Sequence, residues 1–257
     1  MPEDFTGKNI LVTGANRGIG YGVAEGFLKA GATLIITALE QDVFEVANDL
    51  SKKYNRDVLG IMCDISSKDQ VRSLEKEVDR VDVLINNAGM EYMTPITDKS
   101  EHIDETFKRI IEVNIIGTFT VTRYLLHKIP DGGRIVNTAS MWGKTAVAEF
   151  SAYCASKHAI IGLTRSLAQE LASRKISVNS VCPGWVRTIA SMRSLSSMAE
   201  KKKCSENELL DEIMEAQAFE GLMEPADMAA IYLFLSGQAA NNITGQSFTV
   251  DRGELMQ

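Results

Sequence analysis

Short apolar runs alternate with segments of helical periodicity along almost the whole chain of 257 residues. Each apolar run has the length of a buried strand, and apolar residues recur at intervals of three and four in the segments between the runs. This alternation is typical of βαβ units, in which a helix connects two parallel strands. The predicted strands cover residues 9–13, 33–37, 58–63, 81–86, 134–138, 177–181 and 247–250. The predicted helices cover residues 19–30, 41–54, 67–78, 107–126, 151–174 and 225–235, with one or two more within 187–222.

The alternation predicts an α/β fold of the Rossmann type, which is a doubly wound, seven-stranded parallel sheet with helices on both faces. A chain of this length buries a sizeable core, and 45% hydrophobic with 24% charged residues is ordinary for a globular protein. No linker rich in Pro, Gly or Ser divides the chain, so we expect residues 1–257 to form a single domain.

A glycine-rich turn joins the first predicted strand to the first predicted helix, in the run Thr13-Gly14-Ala15-Asn16-Arg17-Gly18-Ile19-Gly20. Glycines in this position allow backbone N–H groups to approach a pyrophosphate at the helix N-terminus. The spacing is G-x-x-x-G-x-G rather than G-x-G-x-x-G, and a structural turn without a ligand is the alternative interpretation. The turn therefore predicts a dinucleotide site if other parts of the chain support one.

The end of the second strand bears on which dinucleotide binds. An acidic residue there usually holds the adenosine ribose of NAD. Ala38 stands where we expect that acid, Leu39 follows it, and Arg17 lies in the glycine turn, within reach of a 2′-phosphate. These features favour NADP(H) over NAD(H). Glu40 is close enough to keep NAD(H) open, and an ordinary surface arginine is the alternative for Arg17.

Tyr153 and Lys157 stand four residues apart in a predicted helix, so their side chains share one face. A nearby cation favours the phenolate, and we expect it to lower the pKa of the phenol from its usual value of about 10 toward neutrality. Such a group exchanges a proton with an alcohol or a carbonyl. For the pair alone, the alternative is a core tyrosine beside a solvated lysine.

Composition excludes several other classes of function. The net charge of −7 and the pI near 5.1 argue against a nucleic-acid-binding protein, which needs a basic stripe. We find no signal sequence and no apolar run approaching about 18 residues, so we expect no membrane span. No spacing of His, Cys, Asp or Glu predicts a metal site. The cysteines are scattered without a C-x-x-C pair, which predicts a reduced, cytoplasmic protein: Cys63, Cys154, Cys182 and Cys204.

Taken in order, the motifs of this chain resemble the classical short-chain dehydrogenase/reductase family, from Gly7 to Gly253. The matching motifs are Thr13-Gly14-x-x-x-Gly18-Ile19-Gly20, Asp64, Asn86-Asn87-Ala88-Gly89, Asn114, Ser140, Tyr153-x-x-x-Lys157, and Pro183-Gly184 with Thr188. Each motif alone has a structural explanation, and it is their joint order that makes the resemblance specific.

The resemblance implies four catalytic residues. Tyr153 is the expected general acid/base, with its pKa lowered by Lys157 and by the oxidised nicotinamide. Ser140 is expected to donate a hydrogen bond to the substrate oxygen. Lys157 is also expected to bind the nicotinamide ribose, and Asn114 to hold a water that links Lys157 to solvent.

The resemblance also implies a nicotinamide cofactor that exchanges a hydride with the substrate carbon. Asp64 is expected to meet the adenine, and Val186 and Thr188 the carboxamide. The expected cofactor-binding residues are Gly14, Asn16, Arg17, Gly18, Ile19, Gly20, Ala38, Leu39, Asp64, Ile65, Asn86, Ala88, Gly89, Tyr153, Lys157, Pro183, Gly184, Val186 and Thr188.

Residues 188–222 resemble the substrate lid of the bacterial 3-hydroxybutyrate dehydrogenases, which grip a small carboxylate with polar and basic side chains. Glu91, Trp142 and Phe150 stand where those enzymes carry a glutamine, a histidine and a lysine. We therefore expect a neutral ketone or secondary alcohol with an apolar body, contacted by Ser140, Tyr153 and these three residues. The alternative is that Trp142 and Phe150 only pack.

The sequence thus predicts an NAD(P)-dependent oxidoreductase that interconverts a secondary alcohol and a ketone. The alternatives are a catalytically silent NAD(P)-binding regulatory protein and a 3-hydroxyacid or 3-oxoacyl reductase. A hydrolase using Ser140 lacks the G-x-S-x-G elbow. The family resemblance implies a homodimer or homotetramer through the helices at 107–126 and 151–174, with Arg252 altering the tetramer where the family has glycine.

Overall fold

One parallel sheet of seven strands organises the protein in the computed structural model, which describes residues 3–256. The strand order is β3-β2-β1-β4-β5-β6-β7, and every neighbouring pair is parallel. The strands are β1 Asn9–Thr13, β2 Thr33–Ala38, β3 Val58–Met62, β4 Val83–Asn86, β5 Arg134–Thr138, β6 Ser177–Pro183 and β7 Ser247–Val250. The predicted doubly wound fold is therefore confirmed.

Helices cover both faces of the sheet. They are α1 Gly18–Lys29, α2 Val43–Tyr54, α3 Lys68–Glu77, α4 Glu101–Ile111, α5 Thr118–Leu125, α6 Ser151–Glu170, α7 Ile189–Lys202, α8 Glu206–Glu215 and α9 Ala229–Ser236. No helix within residues 3–256 is long and apolar enough to cross a membrane.

Alternation along the buried strands divides the interior into two hydrophobic cores. In β1, Ile10 and Val12 face the core that contains Phe27 of α1, whereas Leu11 faces the core that contains Leu74 of α3. Successive side chains of a strand point to opposite faces, so a strand covered on both sides needs apolar residues throughout. Each such side chain contributes roughly 1.5–3 kcal/mol on burial.

The strand order reverses between β1 and β4, which places a crevice at the carboxyl ends of the central strands. The chain runs outward from β1 to β3 and then returns to β4 on the other side of β1. Open parallel sheets bind their ligands at such a switch point, because the loops after the two neighbouring strands diverge there. The glycine turn follows β1, and the Asn86–Gly89 run ends β4, so both motifs meet at this edge.

The predicted helix at 107–126 differs from the structure in two ways. It begins earlier, at Glu101. The sequence did not reveal this start, because the first turn is polar and shows little apolar periodicity. A π-helical segment, Glu112–Gly117, also interrupts it between α4 and α5. Gly117 lies tightly against Ile65, where an added Cβ would approach that side chain to 2.9 Å. Helical periodicity in the sequence reveals neither the widened turn nor this contact.

The other differences in bounds are small. The helix predicted to Arg174 ends at Glu170, and a short 3-10 turn follows it. The segment 187–222 forms two helices, α7 and α8, and each begins with a capping box, at Thr188 and Ser205 respectively. Such boxes satisfy the free N–H groups of a first turn, which is why both helices start where they do.

Candidate active site

A cavity of about 440 Å³ opens at the carboxyl edge of the sheet, between the strand ends and α7. Most of the predicted site residues line it: Gly14, Asn16, Arg17, Gly18, Ile19, Ala38, Leu39, Asp64, Ile65, Ala88, Gly89, Glu91, Ser140, Trp142, Tyr153, Lys157, Pro183, Gly184, Val186 and Thr188. Four predicted residues lie behind its wall, namely Gly20, Asn86, Asn114 and Phe150. The fold thus brings together residues that are spread from Gly14 to Thr188 along the chain.

The glycine turn forms a cradle that leaves no room for side chains. Gly14 and Gly18 have left-handed φ angles of 64° and 58°, and an added Cβ at Gly20 would lie 2.2 Å from the carbonyl oxygen of Gly14. Within the described residues, Arg17 at the N-cap gives α1 no side-chain hydrogen bond. The first N–H groups of α1 therefore stay available to an anion, so the cradle fits a dinucleotide pyrophosphate.

Asn87 holds the glycine turn against the end of β4. Its side-chain amide donates to the carbonyl oxygens of Thr13 and Gly14, both at 3.1 Å, and it lines the cavity. Asn86, by contrast, donates to Thr122 and Asn137 beneath the cavity. Asn87 thus forms part of the cavity wall, whereas Asn86 stabilises the strand beneath it.

Charged pairs surround the end of the cavity next to β2. Arg17 donates to Glu40 at 2.7 Å, and this hydrogen bond is the main cause that lowers the pKa of Glu40. Asp64 forms an ion pair with Arg109 of α4 at 2.8 Å. Arg109 also lines the cavity, yet no sequence motif marked it, because its place there depends on how α4 packs.

Helix α6 carries Tyr153 and Lys157 on one face, as their spacing predicted. The Nζ atom of Lys157 lies 5.5 Å from the centroid of the Tyr153 ring and donates to the Thr138 carbonyl oxygen at 2.8 Å. Ser140 lies two residues after the end of β5, and its Oγ accepts a hydrogen bond from the Trp142 N–H at 3.2 Å. The Ser140 hydroxyl also lowers the pKa of the neighbouring Tyr153 phenol. A hydroxyl, a phenol and an ammonium group therefore converge at one end of the cavity.

The expectation that Lys157 lowers the pKa of Tyr153 is wrong for the protein groups alone. Burial, followed by the charge of Glu91, raises the pKa of Tyr153, and the hydrogen bond with Ser140 opposes that rise only in part. Burial also lowers the pKa of Lys157 to about 8, which weakens it as a source of positive charge. Lys157 is only 4% exposed. The cost of removing these charged groups from water therefore outweighs the attraction between the lysine cation and a tyrosine phenolate that the spacing suggested.

Asn114 lies in the π-helical segment, behind Gly89. Its Oδ1 accepts from the Met90 N–H at 2.7 Å, and its Nδ2 donates to the Met90 carbonyl and to Ser156 Oγ, both at 2.9 Å. An added Cβ at Gly89 would lie 3.2 Å from Asn114 Oδ1 and 3.5 Å from Lys157 Nζ. Asn114 therefore fixes the segment after β4 without lining the cavity itself.

Aromatic side chains form the wall beyond Tyr153. The Trp142 ring centroid lies 5.2 Å from that of Phe150, 5.8 Å from that of Trp185 and 6.0 Å from that of Tyr153. Phe150 is fully buried behind Trp142, whereas Trp142 and Trp185 face the cavity. Trp185 directly follows the Pro183-Gly184 motif but is not part of any motif, so the sequence did not mark it as a site residue.

Comparisons with known proteins agree with this arrangement. The family model described as Enoyl-(Acyl carrier protein) reductase matches residues 14–254. D-beta-hydroxybutyrate dehydrogenase of Cupriavidus necator is 31% identical, over 98% of this chain and 100% of the relative. The 3-oxoacyl-[acyl-carrier-protein] reductase FabG of Rickettsia felis is 32% identical, over 98% of this chain and 99% of the relative. L-sorbose reductase from Gluconobacter frateurii, solved with NADPH and L-sorbose, superposes with a TM-score of 0.91 at 25% identity, covering 100% of both chains.

Proposed function

The chain belongs to the short-chain dehydrogenase/reductase family and is an NAD(P)-dependent enzyme that interconverts alcohols and ketones, and on this premise we propose that Tyr153 is its general acid/base. The observation that carries the proposal is the convergence of Tyr153, Ser140 and Lys157 at one end of the cavity, with the glycine cradle at the other. The bound nicotinamide supplies the hydride. The protein supplies the proton and the position of the substrate.

Ketone reduction needs a proton at the substrate oxygen, and burial together with the charge of Glu91 raises the pKa of Tyr153, which favours the protonated phenol. Its hydroxyl donates that proton while Ser140 donates a second hydrogen bond to the same oxygen. Lys157 replenishes the proton from its ammonium group, whose pKa of about 8 lies close to neutrality. Asn114 fixes the residue after Gly89 through two hydrogen bonds to the Met90 backbone, and we propose that it also holds a water that links Lys157 to solvent.

Replacing Tyr153 with Phe tests the assignment of the acid/base. We expect ketone reduction to fall by roughly 100-fold or more, since a positioned proton donor typically contributes that much. Binding of NADPH, followed by fluorescence titration, should stay within a few-fold of wild type, because the ring and its packing against Trp142 remain. Turnover equal to that of wild type would refute the role of Tyr153.

We further propose that NADP(H) is preferred over NAD(H). The support is Ala38 at the end of β2, where an acid would repel a 2′-phosphate, together with Arg17 on the cavity wall. The NADPH in the L-sorbose reductase structure agrees with this preference. Glu40 opposes it, because it holds Arg17 in an ion pair.

Variants of this ion pair test the cofactor preference. Arg17→Ala should weaken NADPH binding by roughly 10-fold or more and leave NADH binding almost unchanged, since a hydrogen bond to a charged group is worth about 1.5–3 kcal/mol. Glu40→Gln should strengthen NADPH binding, because it frees the guanidinium. Arg72→Ala on α3, remote from the cavity, is the matched control. Tighter NADH binding by the wild type would overturn the preference.

The substrate we propose is a neutral ketone or secondary alcohol with an apolar body. Trp142 and Trp185 give the cavity an apolar wall, and Glu91 would repel a carboxylate. The competing candidate is a 3-oxoacyl reductase, favoured by the 32% identity with FabG. A panel of neutral ketones, 3-oxoacids and 3-oxoacyl thioesters, followed by nicotinamide absorbance in both directions, separates the two.

The remaining sequence predictions are also proposals. Residues 188–222, which contain α7 and α8, would act as the substrate lid over Trp142 and Trp185.

A homodimer or homotetramer is supported by exposed apolar side chains on α4, α5 and the π-helical segment between them, namely Phe107, Ile116 and Phe119. A cytoplasmic location is proposed from the unpaired cysteines.

A further inference from the structure

A carboxyl group stands at the reacting end of the cavity, and the proton relay described above does not use it. Glu91 lines the cavity together with Ser140, Tyr153 and Lys157. Its charge acts on both Tyr153 and Lys157, since it raises the pKa of each. It therefore lies in the same cavity as the groups that are proposed to meet the substrate.

The backbone that carries Glu91 is anchored on two sides. Asn114 holds the N–H and the carbonyl oxygen of the preceding residue, Met90, at 2.7 and 2.9 Å. Arg193 of α7 donates to the Glu91 carbonyl oxygen at 2.6 Å, and its guanidinium lies 3.9 Å from the centroid of the Tyr92 ring. The backbone at Glu91 is thus held by the fold rather than left in a loose loop.

The Glu91 carboxyl group can accept more hydrogen bonds than the protein supplies. Against the effect of burial, the Ser194 hydroxyl of α7 and the charges of Arg193 and Lys157 lower the pKa of Glu91, and no other described side chain is among the causes of its shift that favour the charged form. An ionised carboxylate has about four lone-pair sites, so one hydroxyl leaves most of them open toward the cavity. Burial raises the pKa of Glu91, which reflects the cost of holding the charge with so few partners. A ligand that donates a hydrogen bond would relieve this cost.

The charged groups around Glu91 limit which kind of hydrogen-bond donor a ligand could present to it. A carboxylate on the ligand would be repelled by Glu91. An ammonium on the ligand would be repelled by the Lys157 ammonium, which already lies in the same wall and whose pKa is lowered. A neutral hydroxyl remains, since it donates a hydrogen bond and adds no charge. Because Tyr153 and Ser140 hold the carbonyl oxygen, that hydroxyl belongs on a carbon close to the carbonyl.

We propose that Glu91 accepts a hydrogen bond from a substrate hydroxyl on the carbon next to the carbonyl. The substrates are then α-hydroxyketones in the direction of reduction and vicinal diols in the direction of oxidation. The apolar remainder of the substrate packs on Trp142 and Trp185. This inference rests on the proposed function and names the substrate class of that same site.

A matched pair of ketones tests the proposal, namely 2-hydroxycyclohexanone and cyclohexanone, with NADPH as the reductant. Wild type should prefer the hydroxylated ketone by roughly 100-fold or more in kcat/KM, because a site built to bind a hydroxyl strongly rejects the analogue that lacks it. Glu91→Leu should bring the ratio to within a few-fold of one by losing activity on the hydroxylated ketone. Glu91→Gln keeps an acceptor oxygen without the charge, so its ratio should lie between the two.

Glu105→Gln is the control for a nearby change of charge. Glu105 lies on α4, beside the neighbouring cavity formed with α7, and its loss should leave the ratio unchanged. A wild-type ratio near one would overturn the role of Glu91. So would a ratio that Glu91→Leu leaves at the wild-type value.

Binding separates failure of this inference from failure of the proposed function. Calorimetry of the NADP⁺ complex with a vicinal cyclohexanediol and with cyclohexanol measures the hydroxyl preference without turnover. Equal affinities for the two alcohols would overturn the Glu91 role even if ketones are reduced. A wild type that reduces no ketone with either nicotinamide would instead refute the oxidoreductase assignment of this site.

Discussion

Lys157 is a buried cation whose position serves the site at a cost to the fold. Its Nζ is tied to the Thr138 carbonyl, and burial lowers its pKa from 10.5 to about 8. At about 1.4 kcal/mol per pKa unit, this corresponds to about 3 kcal/mol of destabilisation at neutral pH. Active sites often carry such costs, because groups are placed for chemistry rather than for stability.

Replacing Lys157 with Met should therefore stabilise the protein while it impairs catalysis. We expect the free energy of unfolding to rise by about 1–2 kcal/mol at neutral pH, less than the full cost because the Thr138 carbonyl loses its donor. The folded pKa is depressed, so the wild type regains stability as the pH rises from about 8 to 10.5. The advantage of the variant should be largest below pH 8 and should turn into a disadvantage before the pH reaches 10.5, because only the lost hydrogen bond to Thr138 then remains.

Urea unfolding of both proteins at several pH values measures this difference. Lys144→Met serves as a control, since Lys144 also makes a hydrogen bond, with Thr249, but is only half-buried. An advantage that is constant across the pH range would show that desolvation of the ammonium group is not its cause.

At the scale of elements, the segment after α8 is joined to the end of the chain by Arg252. Its carbonyl oxygen accepts from the N–H groups of Ala218 and Phe219 at 2.9 and 3.0 Å, and its side chain donates to the Glu220 carbonyl at 2.6 Å. Arg252 adopts a left-handed φ of 56°, a conformation that favours glycine. The chain thus keeps a strained residue at a position where its side chain holds the end of segment 188–222, the proposed lid.

Arg252→Gly should loosen this fastening with little net change in stability. Relief of the backbone strain, worth about 1 kcal/mol, offsets the lost side-chain hydrogen bond. We expect KM to rise several-fold with kcat nearly unchanged, and hydrogen exchange at residues 218–221 to become faster. Steady-state kinetics and exchange mass spectrometry measure the two effects.

Lys175→Gly is the matched control for this change. Lys175 also has a left-handed φ, of 53°, but it is exposed in the turn before β6, away from the lid. Its replacement should give the relief of strain without altering KM. If both variants change KM alike, the side chain of Arg252 does not hold the lid.

At the scale of the whole molecule, the site exists because distant segments meet at one edge of the sheet. The parallel order β3-β2-β1-β4-β5-β6-β7 aligns the carboxyl ends of all strands. The turn after β1, the run after β4 and the serine after β5 therefore open into one cavity, which α6 and α7 then close. No pair of neighbouring elements would form this site alone.

The sequence alone determined the fold class, the strand positions and the likeness to a family, because these depend on local periodicity and on motifs at turns. The spacing of Tyr153 and Lys157 also sufficed to place both on one face of α6. Only the tertiary structure decided three other features: the pKa of Tyr153, which is raised where a lowering was expected, the π-helical turn at Asn114, and the position of Arg109 in the cavity wall. The reason is physical: burial and the approach of residues far apart in the chain set desolvation and packing, and neither leaves a periodic trace in the sequence.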